Sequence, residues 1–366
     1  MTTSPKSTVH SPKSSSPQGP PGGKPAGRGT WDVEQGLPRM FAIVILVASI
    51  GSPTFADDVK MDEASKKATA KALEFLASQQ NSDGSWGGDR YPHNTAVTGF
   101  VLLAFLSQGH LPGQGLYGPE VAKGARFLIA SSRPGDGYLV GSRGGNMYCH
   151  GMATLALSEL WGMTGDDEIK PVLEKAVDLT VRCQTREGGW RYEPQPTGHD
   201  ISATIMQVMA LRAAKNSGLH VPEGTLKRAI EYINSCYEPR SGGYNYQPGR
   251  ADPGFARTAA GVCVLQLSGS YDAKEIEKAV EFLEQKEEKR HYWYGQYYAA
   301  HAMHQVGGKK WEEWYGKARK NLLSSQAPNG SWTNKGSDDG VGIAYSTAIS
   351  TIILSVPLNY LPIFQN

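Results

Sequence analysis

Beyond about residue 60, apolar positions recur at helical spacing in two alternating kinds of segment. The first kind keeps apolar residues on one face and charges on the other, the pattern of a half-exposed helix. It occurs six times: Lys71-Ala-Leu-Glu-Phe-Leu76, Gly124-Ala-Arg-Phe-Leu-Ile129, Lys175-Ala-Val-Asp-Leu-Thr180, Arg228-Ala-Ile-Glu-Tyr-Ile233, Lys278-Ala-Val-Glu-Phe-Leu283 and Lys317-Ala-Arg-Lys-Asn-Leu322. The shared alanines, Ala72, Ala125, Ala176, Ala229, Ala279 and Ala318, lie 53, 51, 53, 50 and 39 residues apart. The second kind is apolar nearly all round and rich in Gly, Ala, Ser and Cys, which suits helices packed closely on several sides. Such helices are predicted over 95–106, 147–160, 201–213, 255–267, 297–306 and 342–354.

Most of the first kind are followed by a glycine and an aromatic: Asp83-Gly-Ser-Trp86, Asp136-Gly-Tyr138, Glu187-Gly-Gly-Trp190, Ser241-Gly-Gly-Tyr244 and Asn329-Gly-Ser-Trp332. Glycine permits the positive backbone angle at which helices end, and the aromatic can fold back onto the stack. Six outer helices alternating with six inner ones predict an all-α fold, a closed α6/α6 toroid with parallel inner helices around a central cavity. An open solenoid is the alternative, and the short last period favours closure.

Composition adds a second region. Residues 1–39 hold 19 Pro, Ser or Gly, too little apolar surface to offset ordering, and are expected to be disordered. The apolar run Phe41–Ile50 is too short to span a bilayer but suits the core of a secretion signal, with Thr54-Phe55-Ala56 offering small residues for cleavage. The expected organisation is therefore an extension over 1–39, a signal peptide over 40–56 and a toroid over 57–366, in a secreted or periplasmic protein. Met40 is a candidate alternative start. The first 39 residues carry five Lys/Arg against Asp32 and Glu34, a net +3 that leaves the remainder of the +2 chain near −1. The remainder has no basic excess, which argues against nucleic acid as a partner. Four cysteines without CxxC spacing argue against a zinc finger, and no GxGxxG, Walker or HExxH motif calls for a nucleotide or a metalloprotease zinc. No cofactor or metal is expected. Export would permit Cys183 and Cys236 to pair.

Two motifs carry a family resemblance. Gln79-Gln-Asn-Ser-Asp-Gly-Ser-Trp86 and Gln326-Ala-Pro-Asn-Gly-Ser-Trp332 resemble the Gln-to-Trp repeat of squalene cyclases. Gly144-Gly-Asn-Met-Tyr-Cys-His-Gly-Met-Ala-Thr-Leu-Ala156 is similar to an inner-helix segment of protein prenyltransferase β subunits. The resemblance covers about residues 60–355. It implies the α/α toroid of the prenyltransferase/squalene oxidase repeat and terpenoid cyclase superfamily, which includes enzymes and non-enzymes.

In such a ring the inner helices open their amino termini, which are electropositive, at one end of the cavity. The candidate ligand-binding rim is then Asn94, Tyr148, Cys149, His150, His199, Arg257, Tyr297, His301 and Tyr345. Helix capping is the competing role for each of them. Asp200 is the one candidate catalytic residue. Gly198-His-Asp-Ile-Ser-Ala203 falls where squalene cyclases carry Asp-Xaa-Asp-Asp-Thr-Ala, and Asp200 takes the place of the acid that protonates the substrate. Gly198 and Ile201 replace its two supporting carboxylates, and a helix amino terminus should push a lone Asp toward ionisation. The zinc pair of prenyltransferases would be Asp200 and Ser202, which lacks the thiolate. Cys149, His150 and Asp200, or His301 with His304, are the remaining metal candidates. The function expected is a non-catalytic binding module for a small apolar, isoprenoid-like or other ligand, with an unknown protein partner also open. The alternative is a terpenoid cyclase- or prenyltransferase-like enzyme with Asp200 as general acid.

Overall fold

The computed structural model describes residues 59–365 apart from 142–143, 270–273, 288 and 337–339, so the expectations for 1–39, for the signal segment and for Met40 lie outside the described residues. Among the described residues there are twelve α-helices and no extended strand. The odd-numbered helices are α1 Glu63–Ser78, α3 Gly118–Ala130, α5 Lys170–Arg182, α7 Glu223–Ser235, α9 Lys274–Gln285 and α11 Gly308–Ser325. The even-numbered helices are α2 Thr95–Leu106, α4 Met147–Thr164, α6 Ile201–Asn216, α8 Phe255–Leu267, α10 Tyr292–Val306 and α12 Ile343–Ser355.

Burial separates the two sets. The even-numbered helices are buried along nearly their whole length, whereas the odd-numbered ones bury a single face. Each even helix packs on the next, and α12 packs on α2 and α10, so the inner series closes. Each outer helix leans chiefly on the inner helix before it, with α1 leaning on α12. The structure therefore has the closed α/α toroid that the repeat predicts. The α10 helix begins at Tyr292, five residues before the predicted start, because Tyr292-Trp-Tyr continues the helix across a short turn.

The Gln-to-Trp repeat is what joins neighbouring units. Gln80 donates from Nε2 to Gly84 O (3.0 Å) and to Glu120 O at the start of α3 (2.8 Å). Gln184 does the same to Gly188 O and Thr225 O, and Gln326 to Gly330 O and Ala68 O. The last of these ties α11 to α1 and closes the outer series. The indoles of Trp86, Trp190 and Trp332 donate to carbonyls ten residues upstream, at Leu76, Thr180 and Leu322. Their backbone N–H groups, with that of Tyr244, donate to Thr98, Thr204, Thr347 and Thr258 hydroxyls on the following inner helix. Each repeat thus pins an outer helix, the next outer helix and an inner helix at one buried aromatic. The turn glycines have φ near +90°, and a Cβ at Gly84, Gly188 or Gly330 would stand 2.2–2.4 Å from a carbonyl oxygen of the next outer helix. Only glycine allows that approach.

Candidate functional site

The amino termini of α4, α6, α8, α10 and α12 converge on one pocket of about 740 Å³. Tyr148, Ser202, Phe255, Arg257, Tyr294 and Tyr345 reach it from the first three residues of those helices, and Tyr192 and Tyr246 come from the loops beside them. Such a volume lies within the usual range for small-molecule sites, about 300–1,000 Å³. Tyr148 stacks on Tyr192 with ring centroids 6.1 Å apart, and the Tyr192 and Tyr246 hydroxyls meet at 2.6 Å. The rim carries Arg257, Lys286, Lys289 and Arg290 against the carboxylate of Glu287. Arg257 lies over the Tyr246 ring and pairs with Asp252 at 3.5 Å.

Beneath this mouth the axis is filled by rings. Phe100 meets Tyr297 and Tyr345 edge-on, each at 5.3 Å, and Tyr297 packs on Tyr298 and His301. The carboxy-terminal segment closes the far end. Phe364 stacks on His301 and its carbonyl accepts from Gln305 Nε2, while Ile363 N donates to Glu159 Oε2. Burial pushes the Glu159 carboxyl up to about 8.

Of the nine rim candidates, Tyr148, Arg257 and Tyr345 share the mouth. The other six have different duties. Asn94 caps α2, accepting from Ala96 and Val97 N–H, with Cys149 Sγ 3.6 Å from its amide. His150 is fully buried and faces α5: Nδ1 accepts from Leu139 N, and Nε2 lies 3.0 Å from Thr180 Oγ1. Burial lowers its pKa to about 4, so it is a neutral packing residue. His199 turns outward to Tyr232 OH at 3.0 Å. Tyr297 lies in the ring stack below the pocket, and His301 in the far-end plug. The reasons differ. Cys149 and His150 stand in the first turn of α4, which sets their height in the ring but not their azimuth; Asn94 and His199 precede their helices; and Tyr297 and His301 lie deeper because α10 starts five residues earlier than predicted.

Asp200 caps α6, with Oδ1 accepting from Ala203 N at 2.9 Å. It is fully buried and does not line the mouth, although the Tyr246 hydroxyl, which does, reaches its carboxyl. Its pKa is raised, because burial outweighs the Ala203 N–H, the Tyr246 hydroxyl and the nearby Arg191 charge. The expectation that the helix amino terminus would ionise it is therefore overturned, since desolvation is the larger effect here. Among the described residues no three His, Cys, Asp or Glu side chains form a ligand group, so Cys149, His150 and Asp200 do not converge. His301 stacks on Phe364 and His304 packs against Trp311, and no third ligand joins them among the described residues. Cys183 and Cys236 are both free, buried thiols at the ends of α5 and α7.

The sequence reading missed Tyr192 and Tyr246. A signal for them exists: each follows the turn aromatic by two residues, in Gly-Gly-Trp190-Arg-Tyr192 and Gly-Gly-Tyr244-Asn-Tyr246. Lys286, Glu287, Lys289 and Arg290 carry no such signal, because that turn lacks the repeat's glycine and aromatic, whereas the aromatic cluster His291-Tyr-Trp-Tyr294 is expected to line or fill the cavity, and His291 and Tyr294 do line the mouth.

This is the architecture of an α/α toroid with a ligand-sized mouth. The prenyltransferase alpha-alpha toroid domain matches residues 51–291, and the chain belongs to that family. Solved structures share the fold at low identity. The type II terpene cyclase MstE from Scytonema is 15% identical, covering 83% of this chain and 100% of its own, with a TM-score of 0.58. A protein from Actinoplanes is 17% identical, covering 81% and 99% (TM-score 0.57). The GH76A alpha-1,6-mannanase from Salegentibacter sp. HEL1_6 is 11% identical, covering 80% and 99% (TM-score 0.59). No curated protein matches in sequence. Among the described residues, no helix is long and apolar enough to cross a membrane.

Proposed function

We infer that the protein is an exported binding module that holds a small, largely apolar ligand in the tyrosine-lined mouth of the toroid. The observation that carries this is the combination of an open 740 Å³ mouth with an axis filled beneath it by Phe100, Tyr297 and Tyr298. A cyclase must enclose a folded chain around its acid, and here the acid is sealed away from the open volume. Glycan hydrolysis needs paired acids facing the site, whereas the mouth offers one carboxylate, Glu287, among the described residues. The Tyr148–Tyr192 stack and the cationic rim suit a flat or apolar body with a polar or anionic end. Export rests on the apolar run before Asp57. Native mass spectrometry of protein purified from its own host is the test: a retained ligand lost in Tyr294→Ala is expected. Ligand-free protein that converts an isoprenoid would refute this reading.

One observation favours the enzyme reading. Asp200 has a raised pKa, as a proton donor requires, and stands at the position of the squalene cyclase acid with the Tyr246 hydroxyl of the mouth beside it. A variant of MstE has been solved in complex with geranylgeranyl dihydroxybenzoate, its substrate. Under this reading Asp200→Asn would abolish turnover of such an isoprenoid while leaving the fold intact.

A further inference from the structure

Tyr192 and Tyr246 are fixed to the mouth at both ends. Their carbonyls accept from Met147 N (2.9 Å) and Ile201 N (3.1 Å), the first N–H groups of α4 and α6. An α-helix cannot pair these groups within itself, so they are free to hold the two tyrosines in place. The tyrosine hydroxyls meet at 2.6 Å, and that of Tyr246 reaches the Asp200 carboxyl. A chain of hydrogen bonds therefore runs from a fully buried acid, through Tyr246, to the exposed Tyr192. Of the five turns that carry the aromatic, only these two place tyrosine two residues later. Trp86, Tyr138 and Trp332 are followed there by Gly88, Val140 and Asn334.

Each hydroxyl donates one hydrogen bond, so the chain has two senses, and the acid decides between them. One Asp200 oxygen is committed, since Oδ1 caps α6 by accepting from Ala203 N. With a proton on its other oxygen, Asp200 donates to Tyr246, Tyr246 donates to Tyr192, and the Tyr192 hydroxyl donates into the mouth. With that proton gone, the carboxylate accepts from Tyr246, Tyr246 accepts from Tyr192, and Tyr192 offers the mouth a lone pair. We propose that Asp200, acting through Tyr246, sets what the mouth accepts: its acid form selects a ligand whose polar end is a carbonyl, and its carboxylate form disfavours one. The proposal rests on the reading of the mouth as a binding pocket and narrows the polar end of its ligand. Asp200 faces Arg191, Tyr148, Tyr232, Cys236, Tyr246 and Tyr294, and the neighbouring His199 ring is turned to Tyr232. Burial raises these phenols and the thiol, so they stay neutral below about pH 8. Burial of Asp200 itself moves the change of sense above the ordinary aspartate value.

Three flat bicyclic probes of similar size separate the two senses. Indanone only accepts a hydrogen bond, indole only donates one from its N–H, and indene does neither. Binding to the protein is followed by ligand-observed NMR from about pH 3.5 to pH 8, a range in which none of the probes changes charge. Indanone should weaken relative to indene by about three- to tenfold as Asp200 loses its proton, while indole strengthens. Asp200→Asn should keep the acid-form preference at every pH, because the Asn amide caps α6 with its oxygen and donates to Tyr246 with its nitrogen. Tyr246→Phe cuts the chain and should leave the indanone-to-indole ratio independent of pH. A ratio that is flat in the wild type, or that still changes with pH in Asp200→Asn, would overturn the relay; the second result would assign the change to another group such as His199. Failure of indene and both polar probes to bind would refute the mouth reading itself.

Discussion

Replacing Gly330 by alanine attacks the joint that closes the ring. Gly330 has φ +91°, and a Cβ there would lie 2.4 Å from Lys71 O and 2.6 Å from its carbonyl carbon, both backbone atoms of α1. A clash with backbone cannot be relieved by rotating a side chain, so α1 must move away from the α11 turn. The unfavourable positive φ costs about 1–2 kcal/mol. Displacement then weakens the two Gln326 bonds, to Ala68 O and Gly330 O, worth about 1 kcal/mol each. A loss of roughly 3–4 kcal/mol follows, a fall in Tm of roughly 5–15 °C. Gly316 is the control. It lies inside α11 with nothing within 4 Å of its added Cβ, so Gly316→Ala should stabilise by about 0.5–1 kcal/mol through helix propensity. Calorimetric melting of both variants beside the parent checks this. If Gly330→Ala melts no lower than Gly316→Ala, the joint does not hold the ring and the argument fails.

Three further outcomes are expected. Asp200→Asn should fold normally, since Asn caps as well as Asp. Because burial raises the folded pKa of Asp200, the wild type loses stability as pH rises above the ordinary aspartate value. Denaturation followed from about pH 3.5 to pH 8 should show the Asn variant with a flatter dependence and no deficit at the higher pH; a deficit there would contradict the burial argument. Glu159, with a folded pKa near 8, contributes a stability loss that accumulates from about pH 4.5 to about pH 8 and is constant beyond. Glu159→Gln should remove it, and hydrogen exchange at Ile363 that rises with pH equally in both forms would count against it. His150, held neutral down to about pH 4, makes folding weaken as pH falls from about 6.5 to 4. Its ring resonances, followed by NMR, should not titrate near the ordinary histidine value.

The helices and their alternation were legible because a repeat writes the same burial pattern six times. Ala72, Ala125, Ala176, Ala229 and Ala279 are buried where the period places them. The Trp86, Trp190 and Trp332 turns were legible too, since glycine and tryptophan at fixed spacing leave few backbone solutions. Capping by Asn94 and Asp200 could be read as one of two alternatives, because a polar residue before an apolar run satisfies helix N–H groups locally. What the sequence could not decide is which way each side chain turns around the ring. His150 and Tyr148 stand two positions apart on α4, yet one packs against α5 and the other lines the mouth. Nor could it show that burial outweighs the helix terminus at Asp200, for desolvation is set by residues distant in the chain. The filled axis is a tertiary fact as well, built by Phe100, Tyr297 and Phe364 from three remote segments. Local spacing determines helices and turns; the open volume of a toroid depends on which rings fall inward when it closes.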